Sequence, residues 1–162
     1  MSMARLLPLA AVVTFACALA GCGSATDAVT FKPPANYASA AQLGPFMHLW
    51  RGPQRSALVL MAFPTKIDFD EAITSSNVKD ARVLKQSSIR ICGNQPAYYA
   101  SMIGEGDSFG TATPGVTVEK RQVDLLMTDV GGRTYMAMYV RPVGTPEDTA
   151  AEDAIRNVCS RA

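Results

Sequence analysis

The sequence predicts an α+β domain: a central, mostly antiparallel sheet of about six strands, with a short helix and a long C-terminal helix packed on it. Three observations predict it. Apolar segments of strand length recur along the chain. Turn residues separate several of them, as at Gly52-Pro53, Gly93-Asn94 and Gly131-Gly132, so neighbouring strands join as hairpins. Near the end, apolar residues repeat at helical spacing instead.

Phe31-Lys32-Pro33-Pro34 opens the folded part, held extended by its prolines. Residues 46–51 read as a strand, 52–54 as a turn, and 56–63 as a second strand whose nearly continuous apolar run suits cover on both faces. Residues 68–76 read as a short helix, with Asp68 as N-cap and Glu71 three residues on, the spacing of a capping box. The stretch 81–92 alternates imperfectly through Val83, Ser87, Ile89 and Ile91 and reads as a strand. Residues 93–96 break it, and 97–103 form the next strand. A Gly, Pro, Ser and Thr loop covers 104–115. A long strand over 116–130 and another over 134–141 flank Gly131-Gly132, since paired glycines accept positive φ at little cost. The last helix spans 147–161, with Thr145 as N-cap and Pro146 as its first residue. Glu147, Asp148 and Glu152 sit near the positive end of its dipole. Ala151, Ala154, Ile155, Val158 and Cys159 form its apolar stripe, which turns Cys159 toward the sheet.

The amino end carries an address. Arg5 precedes an apolar run over residues 6–18, too short to span about 30 Å of hydrocarbon and interrupted by Pro8. This is the pattern of a secretory signal peptide. Leu19-Ala20-Gly21-Cys22 follows and resembles the bacterial lipobox, which implies lipid attachment at Cys22 and cleavage before it. Ordinary cleavage at a small-x-small site such as Ala18-Leu19-Ala20 and an uncleaved anchor are the alternatives. Two or more acyl chains on Cys22 would hold the protein at a membrane. The chain therefore divides into a signal peptide over 1–21, a lipidated tether over 22–29 and one globular domain over 30–162.

Removal of Arg5 leaves 14 basic residues against 14 acidic ones, with no basic run. Phosphate-tracking proteins need clustered Lys and Arg, so a nucleic-acid partner is not expected. Cys17 leaves with the signal and Cys22 takes lipid, so Cys92 and Cys159 remain as a pair. Outside the cytoplasm disulfides persist, and a Cys92–Cys159 bond is expected; two buried free thiols are the alternative. One histidine and no second cysteine pair exclude a zinc site, and no cofactor is expected.

The search for chemistry yields no catalytic set. His48, the sole histidine, lies in a strand beside Trp50, and no serine is marked as its nucleophile. Gly104 to Gly110 lacks the Gly-Lys-Ser/Thr ending and the following helix of a phosphate loop. Asp68, Asp70 and Glu71 lack EF-hand spacing and fit helix capping. Glu105 and Asp107 form a carboxylate pair in a loop of a small domain, too little for a glycosidase. The aromatics remain: Tyr135 and Tyr139 share a strand face and suit a core, while Trp50, Tyr98 and Tyr99 are candidates for a binding surface.

Several stretches resemble the Mog1/PsbP-like group: Phe31-Lys32-Pro33-Pro34 leading to Trp50, the hairpin into Leu58-Val59-Leu60, the Ile91-Cys92-Gly93 break before a tyrosine strand, and Tyr135 to Pro142 running into a final helix. The resemblance covers the chain from about Thr30. It implies an α/β/α sandwich around an antiparallel sheet. Members of the group mostly bind other proteins, such as a small GTPase or photosystem subunits, and none of their site residues carries over. The expectation is a non-enzymatic, membrane-anchored lipoprotein of the cell envelope that binds or assembles with an envelope protein. A small-ligand carrier or a hydrolase of the periplasm or cell surface is the alternative.

Overall fold

The computed structural model describes residues 24–75, 79–105 and 119–161, without the side chains of residues 74, 75 and 79. The lipobox residues Leu19, Ala20 and Gly21 and the lipid-attachment residue Cys22 lie outside this set, as does most of the 104–115 loop.

Strand β1 (Val29–Thr30) pairs with β9 (Cys159–Ser160) in a two-stranded ribbon. The other seven strands are β2 (Ala38–Leu43), β3 (Met47–Arg51), β4 (Ala57–Ala62), β5 (Lys79–Ile91), β6 (Gln95–Glu105), β7 (Lys120–Val130) and β8 (Arg133–Pro142). They form one antiparallel sheet in the order β2-β3-β4-β8-β7-β6-β5. Helix α1 (Phe69–Ser75) packs on one face and α2 (Thr149–Arg156) on the other. The β7–β8 turn uses Gly131 and Gly132 with φ of 58° and 82°, conformations that only glycine adopts freely.

Strand alternation sorts the core into two layers. On the α2 face Leu58, Leu60, Leu126, Tyr135 and Tyr139 meet Ala151, Ile155 and Val158. On the α1 face Val59, Leu125, Met102, Met136 and Met138 pack with Ala72. Strand β4 feeds both layers, as its continuous apolar run requires. Every methionine after Met3 lies on the α1 face: Met47, Met61, Met102, Met127, Met136 and Met138. Four of them form one row across the sheet, since Met47 pairs with Met61, Met61 with Met136, and Met136 with Met127. Flexible thioethers let such a layer fill irregular space beneath a short helix.

Four expectations need correction. The fold is mostly β, and the long C-terminal helix is absent: α2 spans only Thr149–Arg156. Its N-cap is Asp148, whose carboxylate accepts from the Ala150 and Ala151 amides at 3.0 and 3.3 Å, and not Thr145. The chain then turns at Asn157 because Cys159 and Ser160 extend to pair with β1. Second, β2 was not expected. Alanine, serine and glutamine carry weak strand preference, and most of β2 is exposed, so no apolar alternation marks it. Third, residues 24–29 are not a free tether. Ser24 caps a 3-10 turn over Ala25–Ala28, Thr26 and Val29 are buried, and the Tyr135 hydroxyl donates to the Ala25 carbonyl at 3.1 Å. Fourth, the sheet has seven strands and not about six.

Cys92 and Cys159 are joined, with Cα atoms 5.7 Å apart. The bond ties the β5–β6 turn to β9, although Cys159 lies on a strand and not on the expected helix stripe. The Gln95 side chain adds a second tie. Its amide donates to the Val158 carbonyl at 3.1 Å, and its oxygen accepts from the Ser160 amide at 3.0 Å.

Candidate functional site

An open cleft of about 1010 Å³ lies on the α1 face. Tyr98 and Met127, neighbours across β6 and β7, are part of its lining. Phe69, at the start of α1, leans on Tyr98 with ring centroids 5.0 Å apart. Asp68 sets that position by accepting from the Glu71 amide at 2.8 Å. The segment before α1 is pinned to β8: the Ile67 amide donates to Thr134 Oγ1 at 3.1 Å, and Thr134 donates to Asp129 at 2.6 Å. Lys66 reaches the same Asp129 at 3.4 Å, and the Tyr98 hydroxyl donates to Gln86 at 2.8 Å. The cleft thus combines an aromatic and thioether lining with a rim of both charge signs.

Burial, followed by the charge of Asp70, raises the Tyr98 hydroxyl above the usual tyrosine range, so it stays protonated and serves as a donor. His48 is on the α2 face. Its ring stacks on Trp50 at 3.9 Å and its Nε2 shares a hydrogen bond with Ser39 at 2.8 Å, while burial lowers its pKa. Neither ring touches the cleft. Among the described residues no group of three or more His, Cys, Asp and Glu could hold a metal.

The three aromatics singled out in the sequence do not form one surface. Trp50 is half-buried on the α2 face and packs on Phe31, with centroids 5.0 Å apart. Tyr99 is buried on the same face under α2. Tyr98 alone faces the α1 side and lines the cleft. Tyr135 and Tyr139 are both buried, as the shared strand face suggested.

A buried polar cluster under α2 escaped the sequence reading. Arg141 donates to Asp124, and both are almost fully buried. The Tyr99 hydroxyl lies 3.3 Å from Asp124 and 3.2 Å from Glu152, and Arg156 covers its ring at 4.2 Å. Burial, then the neighbouring carboxylates of Asp124 and Glu152, pushes the Tyr99 pKa up. Burial also raises Glu152, with Glu147 and Asp124 adding to it. Burial acts to lower Arg141, but its bond to Asp124 and the charge there outweigh it, so its pKa is raised. Apart from Arg141 Nε, which has no hydrogen-bond partner among the described residues, these groups satisfy one another and clamp α2 to the sheet. The signal was a lone acid in Val123-Asp124-Leu125 and a lone base in Val140-Arg141, each inside an apolar run.

Comparison with known proteins reaches the fold. No protein-family model matches the chain, and no curated protein matches it in sequence. Solved structures do match. The Saccharomyces cerevisiae Ran-binding protein Mog1p superposes with a TM-score of 0.51 at 10% identity, covering 78% of each chain. A single-residue mutant of Mog1 gives 0.51 at 11% identity over 80% of each chain. The fold is Mog1-like. A protein from Bacteroides thetaiotaomicron VPI-5482 gives 0.50 at 13% identity, covering 85% of this chain but 46% of its own, so this chain spans less than half of that protein. At these identities a Mog1-like fold carries no binding residue with it.

Proposed function

We propose that this Mog1-like chain is a non-enzymatic lipoprotein of the cell envelope. Lipid on Cys22 anchors it, and the domain stands outside the cytoplasm, on the periplasmic side in a two-membrane cell. There it binds or assembles with an envelope protein through the cleft on the α1 face. The observation that carries this reading is the cleft itself, where Tyr98, Phe69 and Met127 meet a rim of Lys66 and Asp129. A partner's apolar side chain would enter and its charged neighbours would meet the rim, the division of labour found in protein interfaces. The signal and lipobox pattern supports the address, and the Cys92–Cys159 bond suits an oxidising compartment.

The test has two parts. Intact mass of the mature protein from its native membrane should show acyl groups on a chain that begins at Cys22. A photo-crosslinking residue in place of Tyr98 should then capture one envelope protein, and Lys66→Glu should weaken that capture. An unacylated chain, or equal capture from a position on the α2 face, would end this reading.

The cleft volume favours a second reading, a small-ligand carrier, because drug-sized molecules occupy clefts of about 300–1,000 Å³. Native mass spectrometry of the purified protein would then show a bound small molecule, lost on Tyr98→Ala.

A further inference from the structure

The amino-terminal segment fixes how the domain would sit on its membrane. Ser24 is two residues from Cys22, and two extended residues span about 7 Å at most. Ser24 is not free to swing. Its Oγ donates to the Pro45 carbonyl at 2.8 Å, in the turn between β2 and β3, and its amide donates to Asp27 at 2.8 Å. Behind it, Thr26 and Val29 are buried and Tyr135 holds the Ala25 carbonyl. Any lipid on Cys22 therefore lies within one short reach of the β2–β3 turn.

That turn exposes apolar surface. Leu43 is 61% exposed and Phe46 44% exposed, and Gly44 between them adopts φ of +60°. The chain that carries the turn is uncharged: from Pro33 to Trp50 the sequence has no Asp, Glu, Lys or Arg, and the charge that the amino-terminal segment brings near it is Asp27, on the Ser24 amide. Pressing this end of the domain into a headgroup layer would desolvate no charge of that stretch. The other exposed pair, Val83 and Leu84, is different. It lies on β5, at the opposite edge of the sheet, among Arg82 and Lys85. Charged side chains there guard an edge strand and oppose burial in lipid.

We infer that Leu43 and Phe46 form a membrane contact, a wedge that rests in the interfacial layer beside the lipidated Cys22 and gives the domain one orientation. The inference rests on the anchor proposed above. An acyl chain supplies the affinity, and the wedge adds apolar area to it and removes rotational freedom. The cleft is then held at a set height and direction instead of swinging on a tether.

The experiment uses the full mature chain, acylated and reconstituted into phosphatidylcholine–phosphatidylglycerol vesicles that carry doxyl-labelled lipid. Trp50 is the only tryptophan, so Trp50→Phe clears the background. Phe46→Trp or Leu43→Trp then places a probe on the wedge. Arg51→Trp places one at the far end of β3, about 17 Å away along the strand. Leu43, Phe46 and Arg51 are exposed, and Trp50→Phe keeps an aromatic ring at the half-buried position 50, so folding survives, and circular dichroism checks it. Shallow doxyl labels should quench the wedge probes about threefold more than the Arg51→Trp probe, with blue-shifted emission. Equal quenching at both ends, with acylated Cys22 confirmed by mass, overturns the wedge and leaves the anchor standing. A mass without acyl groups on Cys22 overturns both.

Discussion

Asp124→Asn tests the polar clamp under α2. Asp124 is 2% exposed and Arg141 4% exposed. Removing one partner of a buried ion pair costs about 3–5 kcal/mol, because the other charge is left uncompensated. The remaining counter-charge here is Glu147, 3.8 Å from the guanidinium and half exposed. At that exposure it returns about 1 kcal/mol. Arg141 Nε already has no hydrogen-bond partner among the described residues, so it absorbs none of the loss. The expected cost is about 2–4 kcal/mol. Removing both charges, as Asp124→Leu with Arg141→Met, should fall within about 1–2 kcal/mol of the parent, since Tyr99 keeps Glu152 as acceptor. Urea unfolding at neutral pH with the disulfide intact measures both, using far-ultraviolet circular dichroism and Trp50 fluorescence. An Asp124→Asn cost under about 0.5 kcal/mol would refute the clamp, as would a double variant no more stable than the single one.

Three further outcomes follow from the same structure. Cys92→Ser with Cys159→Ser opens a link across a sequence separation of 67 residues and should lower stability by about 4 kcal/mol in the chain-entropy account, read from urea midpoints. Glu152 has a folded pKa raised above 4.5 by burial and its acidic neighbours, so it favours the folded state most when protonated. That contribution is present below the unfolded value and is lost as pH rises through the folded one. Glu152→Gln should therefore raise the melting temperature at neutral pH, with the gain fading as pH falls toward 4.5. Gly52→Ala would drive a Cβ into the Tyr37 ring, which is buried and hydrogen-bonded to Ser56, and should cost about 1–3 kcal/mol on thermal unfolding.

The sequence alone determined the parts whose physics is local. The apolar run of β4, the paired glycines after β7, the Asp68 cap and the even pair of cysteines each carry their own signal in a few residues. The same holds for the shared face of Tyr135 and Tyr139, since strand alternation is a property of the backbone. Tertiary structure decided the rest. Strand β2 exists because β3 offers it a hydrogen-bonding edge, not because its alanines prefer extension. Helix α2 stops where Cys159 and Ser160 find β1, a partner about 130 residues away in sequence that no helical period can reveal. Tyr98 and Tyr99 look alike in the chain, yet pleating sends one into the cleft and the other under α2. The cleft draws on β5 to β8 and the segment before α1, and the clamp joins β6, β7, β8 and α2. Both arise from distant segments brought side by side, and that juxtaposition is set by the packing of the whole sheet.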